Sequence, residues 1–119
     1  MRDHTQLKAW QVADDVVMAI YRTTKNFPRE ELFGLTSQMR RTAVSVTSNI
    51  VEGAARSSRA DYIRFLDIGF ASARELEYQI FVSDRLGYFE GDSGLELAGL
   101  AKESCKILHG LIASLRRRS

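Results

Sequence analysis

Apolar residues recur every three or four positions along four long stretches of this chain, and proline interrupts it only once, at Pro28. This pairing constrains the fold more than any other feature. Spacing of that kind demands amphipathic helices, and one proline with eight glycines leaves little turn chemistry for many short strands. The first stretch, roughly residues 6–25, places Trp10, Ala13, Val17, Ile20, Tyr21 and Thr24 on one face, with Val12 and Val16 to one side. It ends at Phe27-Pro28, because the residue before a proline is pushed out of the helical region. Pro28-Arg29-Glu30-Glu31 then reads as the first turn of a short helix, with acids near its positive end.

The second helix runs from near Gly34–Ser37 to about Ala55, on the seam Leu35, Met39, Ala43, Val46 and Ile50, and closes at Gly53 and Ser57-Ser58. Ser58 with Asp61 three residues on caps a third helix, about 59–87, whose core stripe is Tyr62, Phe65, Leu66, Gly69, Ala73, Leu76 and Ile80. Gly87 stops it. Ser93 and Glu96 form a capping box for a fourth helix, about 94–117, with Leu97, Ala101, Leu108, Ile112 and Leu115 on its core face and Cys105 at the edge. Four such helices with short connections predict an all-α, up-down-up-down four-helix bundle, one domain over residues 1–119.

The third helix carries more apolar surface than one core needs. Ile63, Phe70, Phe81 and Tyr88 share a second stripe about a quarter-turn from the first, interrupted by Glu77. On the fourth helix, Leu100, Ile107 and Leu111 widen the apolar arc. A continuous exposed row of this kind is an aggregation hazard in a monomer, so it predicts a subunit interface and a homo-oligomer.

Charge is uneven. The net +2 is small, but residues 36–60 hold Arg40, Arg41, Arg56 and Arg59 against the single acid Glu52, and Arg116-Arg117-Arg118 stand near the end. Arg40, Arg41, Arg56 and Arg59 are candidate phosphate contacts for RNA or DNA, the alternative being a solvated face with intrachain ion pairs. No aromatic residue interleaves with them, so stacking of single-stranded bases is not supported.

The usual catalytic and metal-binding patterns are missing. The two histidines, His4 in a frayed N-terminus and His109 beside Lys106, make no zinc spacing, and no Glu-x-x-His occurs for a di-iron site. Ser37, Ser45, Ser48, Ser57 and Ser58 have no base placed to activate them and read as packing or capping residues. Cys105 reads as a packed thiol, and a single cysteine fits a reducing cytoplasm. Asn49 and Glu52, one turn apart beside Ile50, are expected to hydrogen-bond a neighbouring chain end or fix helix register. The start is polar, and the longest apolar run, Val16–Ile20, is far too short for a membrane span. The expectation is a cytoplasmic protein that is no enzyme, uses no cofactor or metal and meets no membrane.

Leu7, Trp10-Gln11, Tyr21, Phe27-Pro28, Glu31, Phe33-Gly34-Leu35-Thr36-Ser37-Gln38, Arg40-Arg41, Ala43-Val44-Ser45, Ser48-Asn49-Ile50, Glu52-Gly53, Phe65-Leu66, Glu75-Leu76-Glu77 and Leu86-Gly87-Tyr88 together resemble one family. It comprises small bacterial four-helix-bundle proteins encoded in intervening sequences of 23S ribosomal RNA genes, and includes the accessory variability protein of diversity-generating retroelements. The resemblance spans residues 7–88. It implies a ring-shaped homopentamer with basic residues near a central pore, and, from the retroelement member, a reverse-transcriptase partner and nucleic-acid binding. Most relatives have no established activity. Thr47 departs from the family pattern, which has proline there. The reading is therefore a ring-forming accessory factor of nucleic acid or ribonucleoprotein, the alternative a protein–protein adaptor or structural ring that binds no nucleic acid.

Overall fold

The computed structural model describes residues 2–118. Its elements are a 3-10 turn at His4–Gln6, helix α1 at Lys8–Thr24, a second 3-10 turn at Arg29–Glu31, and helices α2 at Leu35–Ala54, α3 at Arg59–Arg85 and α4 at Ser93–Arg117. No strand occurs among the described residues. Contacts between helices fix the direction of each. Arg2 reaches Ala54 at the far end of α2, Ser45 meets Ser72, Thr42 meets Gln79, and Asp67 meets Arg116. Successive helices therefore run antiparallel in an up-down-up-down rod measuring 46 × 23 × 20 Å.

The buried face of α2 follows the expected seam from Met39 to Ile50, with Leu35 half-buried. The third-helix stripe is also buried except for half-covered Phe65, and the fourth-helix face is buried with Cys105 included. In α1 the buried face is rotated from the expected one. Ala9, Val12, Ala13, Val16, Ile20 and Thr24 go inward, Trp10 and Val17 sit at the edge, and Tyr21 is exposed. Small residues let α1 approach its neighbours closely, which leaves the bulky aromatics at the rim.

Ala13, Ala43, Ala73 and Ala101, one from each helix and all buried, meet at mid-height around a void of about 10 Å³. This narrow waist divides the core. Ile50, Leu66, Leu108 and Ile112 pack on one side of it, and Ile20, Met39, Leu76, Ile80 and Leu97 on the other.

The helix ends agree with the sequence reading in part. Ser58 Oγ accepts from the Asp61 backbone N–H at 3.1 Å. Gly87, at φ +75°, closes α3: its N–H donates to the Asp84 carbonyl at 3.0 Å and that of Tyr88 to the Ser83 carbonyl at 3.1 Å. Gly53 is no stop. It lies inside α2, where an added Cβ would sit 3.2 Å from the Tyr62 carbonyl oxygen and 3.0 Å from Phe65 Cβ, so its role is close packing of α2 on α3. The Ser93–Glu96 capping box also does not form. Asp92 occupies the cap position, and Ser93 Oγ donates instead to the Glu90 carbonyl at 2.7 Å. Helix α2 runs unbroken through Thr47, whose hydroxyl donates to the Val44 carbonyl at 2.9 Å.

Candidate functional site

The antiparallel topology brings the start of the chain, the α2–α3 corner and the end of α4 to one end of the rod. There the Arg2 backbone N–H donates to the Ala54 carbonyl at 3.3 Å, and its Nη1 to the Arg56 carbonyl at 2.7 Å. The Arg2 guanidinium lies 4.1 Å over the Tyr62 ring. Those of Arg56 and Arg64 lie 4.5 and 4.6 Å from the centre of the Phe65 ring. Stacking of this kind holds a guanidinium in place without neutralising it. Arg59, Arg117 and Arg118 are exposed beside them.

Three of the local acids are already engaged. Asp61 pairs with Arg64, Asp67 with Arg116, and Asp3 accepts from the Thr5 hydroxyl and backbone N–H, which hold its carboxyl below the usual range. The result is a net-positive end. His4, expected to be frayed, instead sits edge-on to Trp10 with ring centres 5.0 Å apart.

Arg40 and Arg41 lie at the opposite end of α2. At a rise of about 1.5 Å per residue, Arg40 and Arg56 stand roughly 24 Å apart along the rod, so the four candidate arginines do not make one surface. Arg40 is committed within the chain: its Nε donates to Thr24 Oγ1 at 2.9 Å, its Nη2 to the Tyr21 carbonyl at 3.3 Å, and its guanidinium lies 4.8 Å over the Tyr21 ring. It closes the C-terminal end of α1, where free carbonyls need donors.

Arg41 donates to Ser37 Oγ at 3.2 Å and lines an open groove between α2 and α3 with Gln38, Thr42, Ser45, Ser72, Glu75 and Gln79. In that groove Thr42 Oγ1 gives its proton to the Gln38 carbonyl and accepts from Gln79 Nε2 at 3.2 Å. This fixes the Gln79 amide and leaves its buried Oε1 without a partner among the described residues.

A family model described as 23S rRNA-intervening sequence protein matches residues 5–110. The chain belongs to that family. Among solved structures it is similar to a protein of unknown function of the S23 ribosomal protein family from Bacteroides thetaiotaomicron VPI-5482. Identity is 25% and the TM-score 0.80, over 88% of this chain and 95% of that one. No curated protein matches. The family assignment supplies no catalytic or binding residue, so the chemistry of this family member has to be read from its own surface.

The second apolar stripe of this family member is not the continuous exposed row the sequence implied. Ile63 and Phe70 are half-buried against the core, and Phe70 leans on His109 with ring centres 5.6 Å apart. Tyr88 lies beyond the end of α3, packs against Phe27, and donates its hydroxyl to Glu31 at 2.7 Å. Only Phe81, at 54%, is exposed. Glu77, which interrupts the row, accepts from the Cys105 thiol at 2.9 Å and from Arg74 at 3.0 Å. Burial first, and this carboxylate second, push the Cys105 thiol up to about 12. Such a thiol is a poor nucleophile.

Exposed apolar surface gathers instead at the end away from Arg2. Phe33 is 92% exposed and Leu95 76%, with Leu32 and Leu86 each just over half exposed. Neither feature was evident from periodicity, since Leu32 and Phe33 lie between helices. Asn49 donates to the Ser45 carbonyl at 2.8 Å and to Ser45 Oγ at 3.3 Å, the hydroxyl that meets Ser72 of α3, so it reaches the neighbouring helix only through Ser45, while Glu52 is exposed. No group of three or more metal-ligating side chains occurs among the described residues, and no helix is long and apolar enough to cross a membrane.

Proposed function

We propose that this protein is a non-enzymatic, cytoplasmic bundle that assembles into a ring and contacts a polyanion, RNA or DNA, through its basic end. The observation that carries this reading is the convergence of Arg2, Arg56, Arg59, Arg64 and the Arg116–Arg118 run at one end, with several guanidiniums held against aromatic rings. Preorganised cations of this kind suit phosphates, and they carry no base-reading geometry. The phosphate contacts are therefore Arg56 and Arg59 from the original four, with exposed Arg117 and Arg118 added, while Arg2 and Arg116 are engaged by the Arg56 carbonyl and Asp67. Arg40 is assigned to fold support. The homopentameric ring and the reverse-transcriptase partner come from the family resemblance alone.

The test is a salt titration of binding to single- and double-stranded RNA and DNA. A contact through several phosphates weakens steeply as salt rises, and absence of binding even at low salt would sink the reading. A second reading, a protein–protein adaptor, draws on the opposite end, where Leu32, Phe33, Leu86 and Leu95 are exposed. Pull-down of a protein partner lost on mutation there, with no nucleic-acid affinity, would favour it.

A further inference from the structure

Phe33 is the most exposed large apolar residue of the described chain, at 92%, and it is not on a loose segment. The Gly34 N–H donates to the Glu31 carbonyl at 2.9 Å, the Leu35 N–H to Glu31 Oε1 at 3.1 Å, and Tyr88 Oη to Glu31 Oε2 at 2.7 Å. Glu31 thus caps α2 and ties the turn to the α3–α4 connection, so that Phe33 is held out in water by a structured turn. Holding a phenyl ring there stabilises nothing within the monomer.

The same end carries a hollow of about 230 Å³, walled by Phe27, Pro28 and Leu32 and rimmed by Lys25, Arg29 and Arg40. Phe33 does not fill it. The charges on the two features are complementary: exposed Glu30 accompanies the ring, and exposed Lys25 and Arg29 flank the hollow. None of these three charges has an ion-pair partner among the described residues.

We infer that Phe33 of one copy of this chain inserts into the Phe27–Pro28–Leu32 hollow of a second copy, with Glu30 set against Lys25 and Arg29 of that copy. Phe33 inserted into a second copy leaves its own copy's hollow open to a third, and a contact propagated in that way is heterologous, the kind that closes a ring when its rotation allows. The inference rests on the ring reading given above and supplies it with a contact.

The experiment is sedimentation velocity on the full chain and its Phe33→Ser variant across the micromolar range, with circular dichroism to confirm helix content. Alongside it, disulfide trapping uses a Cys105→Ala background, in which one copy carries Phe33→Cys and a differently tagged copy carries Lys25→Cys. The expected result is an assembled wild type, an association weakened at least about tenfold in Phe33→Ser, and a mixed disulfide exceeding both homodimeric ones. Assembly unchanged by Phe33→Ser, or no excess of the mixed disulfide, overturns the contact and leaves the ring standing. A monomeric wild type overturns both. If Phe33→Ser loses helix content, the trapping result decides alone.

Discussion

The two ends of this bundle are built from the same four helices and face the solvent with opposite character. At the end that gathers Arg2, Arg56 and Arg59, cations are held against Tyr62 and Phe65, and three of the nearby acids are occupied by partners. At the other end Arg40 is consumed by the end of α1, while Leu32, Phe33 and Leu95 stand in water. The difference teaches that an arginine count along a helix says little about a binding surface. What matters is whether each guanidinium is spent on its own chain, and α2 has one such arginine near its start and a free group just past its end.

The sharpest test of this contrast is to reverse the charge of Arg56 and Arg59 together. Nucleic-acid affinity at low salt should fall on the order of a hundredfold, and each arginine removed should flatten the salt dependence by about one charge. The measurement is fluorescence anisotropy over a salt series. At protein concentrations below those at which the chain assembles, Phe33→Ser should leave that salt slope unchanged, and an equal loss from it there would erase the distinction between the ends.

Next in size is Gly53→Ala, which pushes a methyl towards the Tyr62 carbonyl at the corner that orients Arg56. The neighbouring atom is backbone and cannot turn away, so a loss of about 1–3 kcal/mol is expected in urea unfolding. Arg40→Ala should follow, at about 1–2 kcal/mol, from the loss of a part-buried charge-assisted hydrogen bond to Thr24 and an exposed one to the Tyr21 carbonyl. Its nucleic-acid affinity should stay within about twofold of wild type. A large loss of binding with stability intact would return Arg40 to the interface and dissolve the contrast.

The bundle itself was legible in the sequence because helical spacing and local caps are short-range signals. The α2 seam, the Ser58 cap and the Gly87 stop each depend on residues within a turn of one another. The misreadings have long-range or competing causes. Tyr88 falls into the helical stripe only if α3 continues, and the left-handed Gly87 prevents that. Ser93 had a choice of partner and bonds the Glu90 carbonyl. For α1, a pattern with aromatics at the centre gave way to one of alanine and valine, since neighbouring helices set the packing distance. Arg2 carries no local sign of its contact with Arg56, which lies 54 residues away. The unpartnered exposure of Phe33 is likewise a property of the assembled loop, and no periodicity encodes it.

The smallest effect concerns the clamp that presents Phe33. The Leu35 backbone N–H first, and the Tyr88 hydroxyl second, hold the Glu31 carboxyl below its ordinary value, and that contact raises Tyr88 in turn. For Glu31 the folded form favours the carboxylate, so its contribution is complete above the unfolded value near 4.5 and fades as pH falls through the lower folded value. For Tyr88 the contribution is complete below about 10 and fades as pH rises. Glu31→Ala should cost roughly 0.5–1 kcal/mol at neutral pH, the size of a lost helix cap at a largely solvated site. It should also flatten the acid limb of a stability profile, measured by urea unfolding from neutral pH to pH about 3. At the same time amide exchange at Leu35 should quicken while that at Arg56, at the other end, stays unchanged. An equal quickening at both ends would mean that the alanine waist transmits the change, and that the two ends are not independent.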